Sequence, residues 1–292
     1  MKSFDEIYKT LSSISAENID NTKKKSLIII GLIIAMFFFI ISTYLLPEFM
    51  FFFIIIAIII FMMFTSISFS TASKTYKKEI ITKLVSTYDE NLHFDPNAHI
   101  EKIDYIMAEF EQFDNFYSND LIFGKIDGII DFKLGDVHTQ DIYHDSDGHT
   151  TRTTLFRGLF SVEKLDKNIN NTIKIRLDKF FKLSGKNILK MDSQEFEKYF
   201  DVYCTDKILT MRILTSDIMD YLLNFTKENK IKFEITIKKS QVFTRIHCPD
   251  MFELPIFRKT LDYKTLYKYY KYIDFMCELN KKIYHVISSK DI

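Results

Sequence analysis

The densest group of metal-binding side chains in the sequence lies between residues 136 and 149. The candidate ligands are its three histidines and three of its four aspartates: Asp136, His138, His144, Asp145, Asp147 and His149. Imidazole and carboxylate groups are ligands that divalent metals such as zinc take from proteins, and a turn could bring two imidazoles together. Structural zinc sites use tighter pairs, and the sequence has no H-E-x-x-H motif. We expect a solvated hairpin tip here and no cofactor, with a metal-assisted hydrolase using residues 136–149 as the alternative function.

Two arginines lie in apolar runs that we predict to be strands. Arg157 occurs in "LFRGLF" and Arg212 in "TMRILT". Either arginine could bind an anionic ligand, whereas an internal carboxylate partner such as Asp206 or Glu195 is the commoner explanation for a charge on an apolar strand. Gly158, beside the first arginine, predicts a bulge or a close backbone approach.

Other catalytic signatures are absent from the sequence. The Gly-Lys pairs in "GKIDG" and "LSGKN" lack the remaining residues of a phosphate-binding loop, and no G-x-S-x-G motif occurs. Three widely spaced cysteines, Cys204, Cys248 and Cys277, indicate buried thiols in a reducing compartment. The formal net charge is zero, which gives no reason to expect nucleic acid as a partner.

A long apolar region precedes these residues and predicts a transmembrane helical hairpin at 26–73. Its single residue that carries a charge at neutral pH is Glu48, which follows Pro47 between two apolar stretches, 26–46 and 49–69. A helix of about 20 apolar residues crosses about 30 Å of hydrocarbon, and a proline with a glutamate suits the turn at the far interface.

Flanking charge predicts the orientation of this hairpin. Lysines lie on both sides of it: Lys23, Lys24, Lys25, Lys74, Lys77 and Lys78. Because positive flanks stay on the cytoplasmic side, we expect a multi-pass protein of the cell inner membrane with both termini in the cytoplasm.

The remaining sequence predicts three further parts, of which 119–292 is a cytoplasmic α+β domain. Residues 1–25 form an amphipathic segment that either lies on the membrane surface or, as we expect, packs on the domain. Residues 74–118 form a helical connector. From about residue 119 the apolar period becomes two, with hairpins at "HDSDGH" and between "KIKFEITIKKS" and "QVFTRIHC". Short helices and a long C-terminal helix flank these strands. The order of elements indicates a mainly antiparallel sheet with flanking helices.

Three stretches of this domain resemble the DUF3137 family, bacterial membrane proteins of unknown function. They are "TLFRGLFSVEKLDKNINNTIKI", "MDSQEFEKYFDVYCTDKILTMRILTSDIMDYL" and "MFELPIF". The resemblance covers roughly residues 80–258, and one departure is Ile213, where the family often has an aromatic residue after the arginine. We interpret Phe196, Phe200, Val202 and Tyr203 in the second stretch as core residues.

The resemblance brings no established activity, but it implies an association with LemA-type membrane proteins. We therefore expect a membrane-tethered cytoplasmic binding or scaffolding module and not an enzyme. Its expected partners are the lipid bilayer and a protein at the inner membrane face.

Overall fold

The computed structural model describes residues 4–12, isolated positions between 30 and 62, and residues 77–146, 148–177, 188–249, 251–252 and 262–289. The chain divides into two compact units. One consists mainly of Val85–Phe252 with Tyr267–Ile292, and the other of Lys2–Leu84 with Glu253–Leu266.

The predicted α+β class with a mainly antiparallel sheet is confirmed. The helices are α1 (Phe4–Ser12), α2 (77–88), α3 (Lys102–Ala108), α4 (Gln194–Glu197), α5 (Lys207–Ile213), α6 (Ser216–Asn229) and α7 (Tyr263–Ser289). The strands are β1 (Leu92–Asp95), β2 (Asn115–Ile126), β3 (Ile130–His144), β4 (Thr150–Leu177), β5 (Ile188–Leu189), β6 (Phe200–Cys204) and β7 (Phe233–His247). Strands pair in the order β1-β2-β3-β4-β6-β5, β7 also pairs with β4, and the pairings are antiparallel.

Strand β7 folds back on itself and is the second predicted hairpin. The backbone N–H of His247 donates to the carbonyl of Lys232 at 2.9 Å, and Arg245 contacts Glu234 across the hairpin. Lys239, at the bend, has φ 54°. The first predicted hairpin is also present, because His144 of β3 pairs with Thr150 of β4.

The two faces of the sheet are covered by different helices. On one face, Phe225 of α6 stacks on Phe275 of α7 at 3.6 Å, and both contact Phe233 of β7. We call this the α7 face. The other face, here the α3 face, holds an aromatic core in which Tyr105 of α3 contacts Phe160 of β4 at 4.9 Å. Because helices cover both faces, successive residues in the middle of β4 are buried on both sides of the sheet.

Gly158 permits the predicted close approach of two backbones. A Cβ atom at this position would lie 2.0 Å from the carbonyl oxygen of Ile246 on β7. Any larger side chain would therefore push β4 and β7 apart.

Two predictions about local structure need correction. The run "ILTMRILT" is helix α5 and not a strand, because the Asp206 side chain accepts from Leu209 N–H at 3.0 Å and caps a helix. Residues 74–118, predicted as a helical connector, contain α2 and α3 but also β1, which pairs with β2. In the N-terminal segment, α1 buries Ile7 and Leu11 fully, and its packing on the cytoplasmic domain stays a prediction.

The predicted transmembrane hairpin at 26–73 lies outside the described residues, apart from the isolated positions between 30 and 62. These positions are helical. Their exposed large apolar side chains are Ile30, Ile33, Met36, Phe37, Ile40, Ile55, Ile59 and Met62. Within the described part of the chain, no helix is long and apolar enough to span a bilayer.

Candidate functional site

Three exposed or half-buried side chains form a row across neighbouring strands of the sheet. Tyr117 of β2 pairs with His138 of β3, and His138 pairs in turn with Arg157 of β4. Directly opposite residues of an antiparallel sheet point to the same face, so the three side chains lie side by side. We call this set the Arg157 row. It joins one predicted binding residue to one predicted metal ligand, although nothing in the sequence linked the two.

The Arg157 row combines a guanidinium, an imidazole and a phenol ring. Tyr117 is 55% exposed, and its ring centroid lies 6.1 Å from that of His138. Partial burial and the neighbouring Arg157 charge lower the pKa of His138, so the imidazole is neutral at physiological pH. Its Nε2 atom lies 3.0 Å from Thr154 Oγ1, which holds the ring in place. The row therefore places one cation beside two planar rings, a combination that suits a carboxylate or another anionic group.

The three predicted metal ligands do not converge on one point. His138 and His144 are six residues apart on β3, which corresponds to about 20 Å of extended strand. The Nδ1 atom of His144 lies 3.1 Å from Thr150 Oγ1, and His149 donates its backbone N–H to Asp145 Oδ1 at 2.8 Å. Among the described residues, which exclude Asp147, no group of three or more histidine, cysteine or acidic side chains is placed to hold a metal ion. A metal-assisted hydrolase at residues 136–149 would need these histidines to converge on one metal ion, and they do not converge.

Arg212 lies in a setting different from the predicted one. It occupies the last turn of helix α5, where its side chain is exposed beside two exposed apolar residues, Ile208 and Met211. The two carboxylates proposed as its partners have other roles: Asp206 caps α5, and Glu195 forms an ion pair with Lys227. The prediction that Arg212 is a charge on an apolar strand is therefore wrong, while a binding role for it stays a prediction.

The arginine that is buried on an apolar strand is Arg245, which the sequence analysis did not single out. Only 6% of Arg245 is exposed. Its guanidinium pairs with Glu111 and, at 3.1 Å, with Glu234. It also lies over the rings of Phe110 and Phe156, with its carbon 4.4 and 5.0 Å from their centroids. Like "LFRGLF", the run "QVFTRIHC" has an arginine within an apolar strand pattern. This signal in the sequence could have identified Arg245.

Hydrogen bonds extend this pair into a buried network. Arg245 donates to the hydroxyl of Tyr105 at 2.8 Å, and that hydroxyl donates to Glu111 at 2.6 Å. Thr139 of β3 donates to the same carboxylate at 3.0 Å. Burial is the largest cause of a raised pKa at Tyr105 and of a lowered pKa at His247, whose Nε2 lies 4.0 Å from Glu234. Since two of its three nitrogens bind protein groups, Arg245 braces α3 and the following segment against β7.

The comparisons with known proteins concern the sheet and its C-terminal helix. Residues 154–284 match the family model described as "Protein of unknown function (DUF3137)". The predicted resemblance is confirmed over this range. This DUF3137 region runs from β4 to α7 and contains Arg157, Arg212 and Arg245, whereas Tyr117 and His138 lie before it.

Two further comparisons add no functional information. No curated protein matches the chain. Among solved structures, the chain is similar to the mycobacterial trehalose monomycolate transport factor A, TtfA, with 8% sequence identity and a TM-score of 0.37. The match covers 69% of this chain and 92% of that protein.

Proposed function

We propose that the chain is a membrane-tethered cytoplasmic module that binds an acidic segment of a protein partner at the inner membrane face. Residues 26–73 would form the tether, and the Arg157 row would form part of the binding surface. The observation that carries this proposal is the row itself, in which the strand register places an exposed arginine beside a neutral imidazole and an exposed tyrosine ring.

The tether is supported by charge and exposure. Between residues 26 and 73, Glu48 is the single residue that carries a charge at neutral pH. Helical positions such as Ile33, Phe37 and Ile59 expose more than half of their side chains, although large apolar side chains avoid water. A bilayer is the environment that favours such a surface, and the flanking lysines would keep both termini in the cytoplasm.

The binding role is supported by the rigidity of the sheet that carries the row. The row spans three hydrogen-bonded strands, and the Arg245 network braces the opposite face. Sites on strands hold their side chains more firmly than sites on loops, which lowers the entropic cost of binding. A guanidinium binds carboxylates through paired hydrogen bonds, so an acidic peptide segment is the chemistry that fits. The family resemblance implies a LemA-type membrane protein as this partner.

The tether and its orientation predict the labelling of two cysteines in intact cells. A cysteine added after Ile292 should remain unlabelled by a membrane-impermeant thiol reagent until the cells are permeabilised, because both lysine-flanked ends lie in the cytoplasm. A matched variant, Glu48→Cys, should react without permeabilisation, since the turn at Glu48 lies on the other side. Labelling of the C-terminal cysteine in intact cells would contradict the orientation.

A further inference from the structure

Glu163 is a fully buried carboxyl group in the middle of strand β4. Its exposed fraction is 0%, and neither carboxyl oxygen has a hydrogen-bonding partner among the described residues. Neighbouring side chains of a strand point to opposite faces, and Val162 belongs to the core of the α3 face. The Glu163 side chain therefore points to the α7 face. Its neighbours across the ladder are Phe132 of β3 and Val242 of β7, which are both apolar. A carboxylate in such surroundings is strongly disfavoured, whereas a neutral carboxylic acid is tolerated at a lower cost.

Helix α7 brings a second buried polar side chain to this part of the sheet. Asn280 is 1% exposed, and both polar atoms of its amide are without a partner in the described part of the chain. Earlier in α7, Phe275 packs on Phe233 at 5.2 Å, and later Tyr284 donates a hydrogen bond to Asp166 of β4. Asn280 lies between these two contacts, one turn before Tyr284, and the Tyr284 hydroxyl interacts electrostatically with Glu163.

Two hydroxyl groups complete the polar lining of this interface. Ser161 of β4 and Thr244 of β7 are register partners on the same face as Glu163, and both are buried. Their hydroxyl oxygens make no hydrogen bond to any residue that the structure describes. The sheet and helix therefore bring several buried polar groups to this region, and neither register partner of Glu163 is a cation.

We propose that Glu163 is a proton-binding site that controls the packing of α7 on the sheet, so that the helix is seated while Glu163 is neutral and is released when it ionises. This makes the interface a pH-sensitive element of the fold, independent of the binding role of the Arg157 row.

The electrostatic surroundings set the direction of the effect. Burial raises the pKa of Glu163 well above its ordinary value of 4.5. Tyr284 of α7 interacts electrostatically with Glu163, and β3 and β7 place Phe132 and Val242 opposite it. Lys281, which follows Asn280 in α7, pairs instead with Asp127 and Glu278 at 2.9 Å each. None of these neighbours supplies a free positive charge that would stabilise the ionised carboxylate.

The pKa of Glu163 differs between the state with α7 seated on the sheet and the state with α7 released. With the helix released, Glu163 regains its ordinary pKa, so the seated state binds the proton more tightly. The stabilisation of the seated state is complete below about pH 4.5 and is lost as the pH rises through the raised pKa. Within that window, the equilibrium constant for release should increase about tenfold per pH unit, and it should level off above the raised pKa.

Cys277 provides the readout, because it lies in α7 and is 0% exposed. The full-length protein in mild detergent is treated with a thiol reagent from about pH 5 to about pH 9, and modification of the Cys277 peptide is timed by mass spectrometry. The wild-type modification rate at each pH is divided by the rate of the Glu163→Gln variant at the same pH. Because the Cys277 thiol ionises in both proteins, its own pH dependence cancels in this ratio. We expect this ratio to rise about tenfold per pH unit and then to level off. A ratio that stays constant or falls with pH would overturn the proposal.

Further variants keep the test decisive. Glu163→Met is a second side chain of similar length that cannot ionise, and it should give the same reference profile as Glu163→Gln. Glu228→Gln, which changes an exposed carboxyl on α6, should leave the wild-type profile unchanged. If neither Glu163 variant folds, the wild-type rate is divided by that of wild-type protein unfolded in urea at each pH. The same rise is then expected, and a constant quotient would equally contradict the proposal.

Discussion

Replacing Arg245 by methionine should lower the free energy of unfolding by about 3–5 kcal/mol, the usual cost of removing one partner from a buried ion pair. Methionine fills a similar volume but leaves the carboxylates of Glu111 and Glu234 without their shared cation, and these side chains are only 19% and 14% exposed. It also removes the donor to Tyr105 and the cation over two phenylalanine rings. Urea unfolding of the full-length chain in mild detergent, followed by tyrosine circular dichroism, measures the change.

Arg212→Met is the matched control for this substitution. Arg212 is exposed in the last turn of α5, so its replacement should change the free energy of unfolding by less than about 0.5 kcal/mol. The same arginine-to-methionine change is thus expected to destabilise the fold at Arg245 and to leave it nearly unchanged at Arg212. Equal losses for the two variants would contradict the assignment of the brace to Arg245.

Phe200→Ala should cost about 3–5 kcal/mol, as is usual for truncation of a buried aromatic side chain. Phe200 is 2% exposed, stacks on Phe196 at 4.7 Å and contacts Phe233 at 5.4 Å, so its removal leaves a cavity where α4, β6 and β7 meet. The same urea titration measures the loss. Phe123→Ala, at a position that is 37% exposed, should cost clearly less, and a Phe200 variant as stable as the Phe123 variant would refute the core assignment.

The elements that the sequence predicted correctly carry local signals. Asp-Gly turn chemistry at the first hairpin and alternating apolar residues at both were enough to place the two hairpins. The core roles of Phe196, Phe200 and Val202 are confirmed by their burial, whereas Tyr203 is only half-buried. Helix α5 was missed because a short apolar run fits either a strand or a helix. The Asp206 cap decides between them, and it was assigned instead as a possible ion-pair partner for Arg212.

The polar interior was not predictable in the same way. Arg245 meets Tyr105 and Glu111 from 140 and 134 residues away, so no spacing in the sequence connects them. Glu163 lies in "SVEKL", where a glutamate beside a lysine indicates a solvated strand end. Its burial depends on α7, which follows about a hundred residues later in the chain and covers that face of the sheet. Similarly, only strand register brings Tyr117, His138 and Arg157 into one row.

Photocrosslinking from the Arg157 row tests the proposed binding function most directly. Benzoyl-phenylalanine in place of Tyr117, in the full-length protein in native membranes, should give one discrete crosslinked product. Arg157→Gln should abolish that product, because an acidic segment would lose its cation. The control places the same probe at Tyr143, which is 68% exposed near the β3–β4 turn, and should not give this product. Persistence of the Tyr117 product in Arg157→Gln, or an identical product from Tyr143, would contradict binding through the Arg157 row.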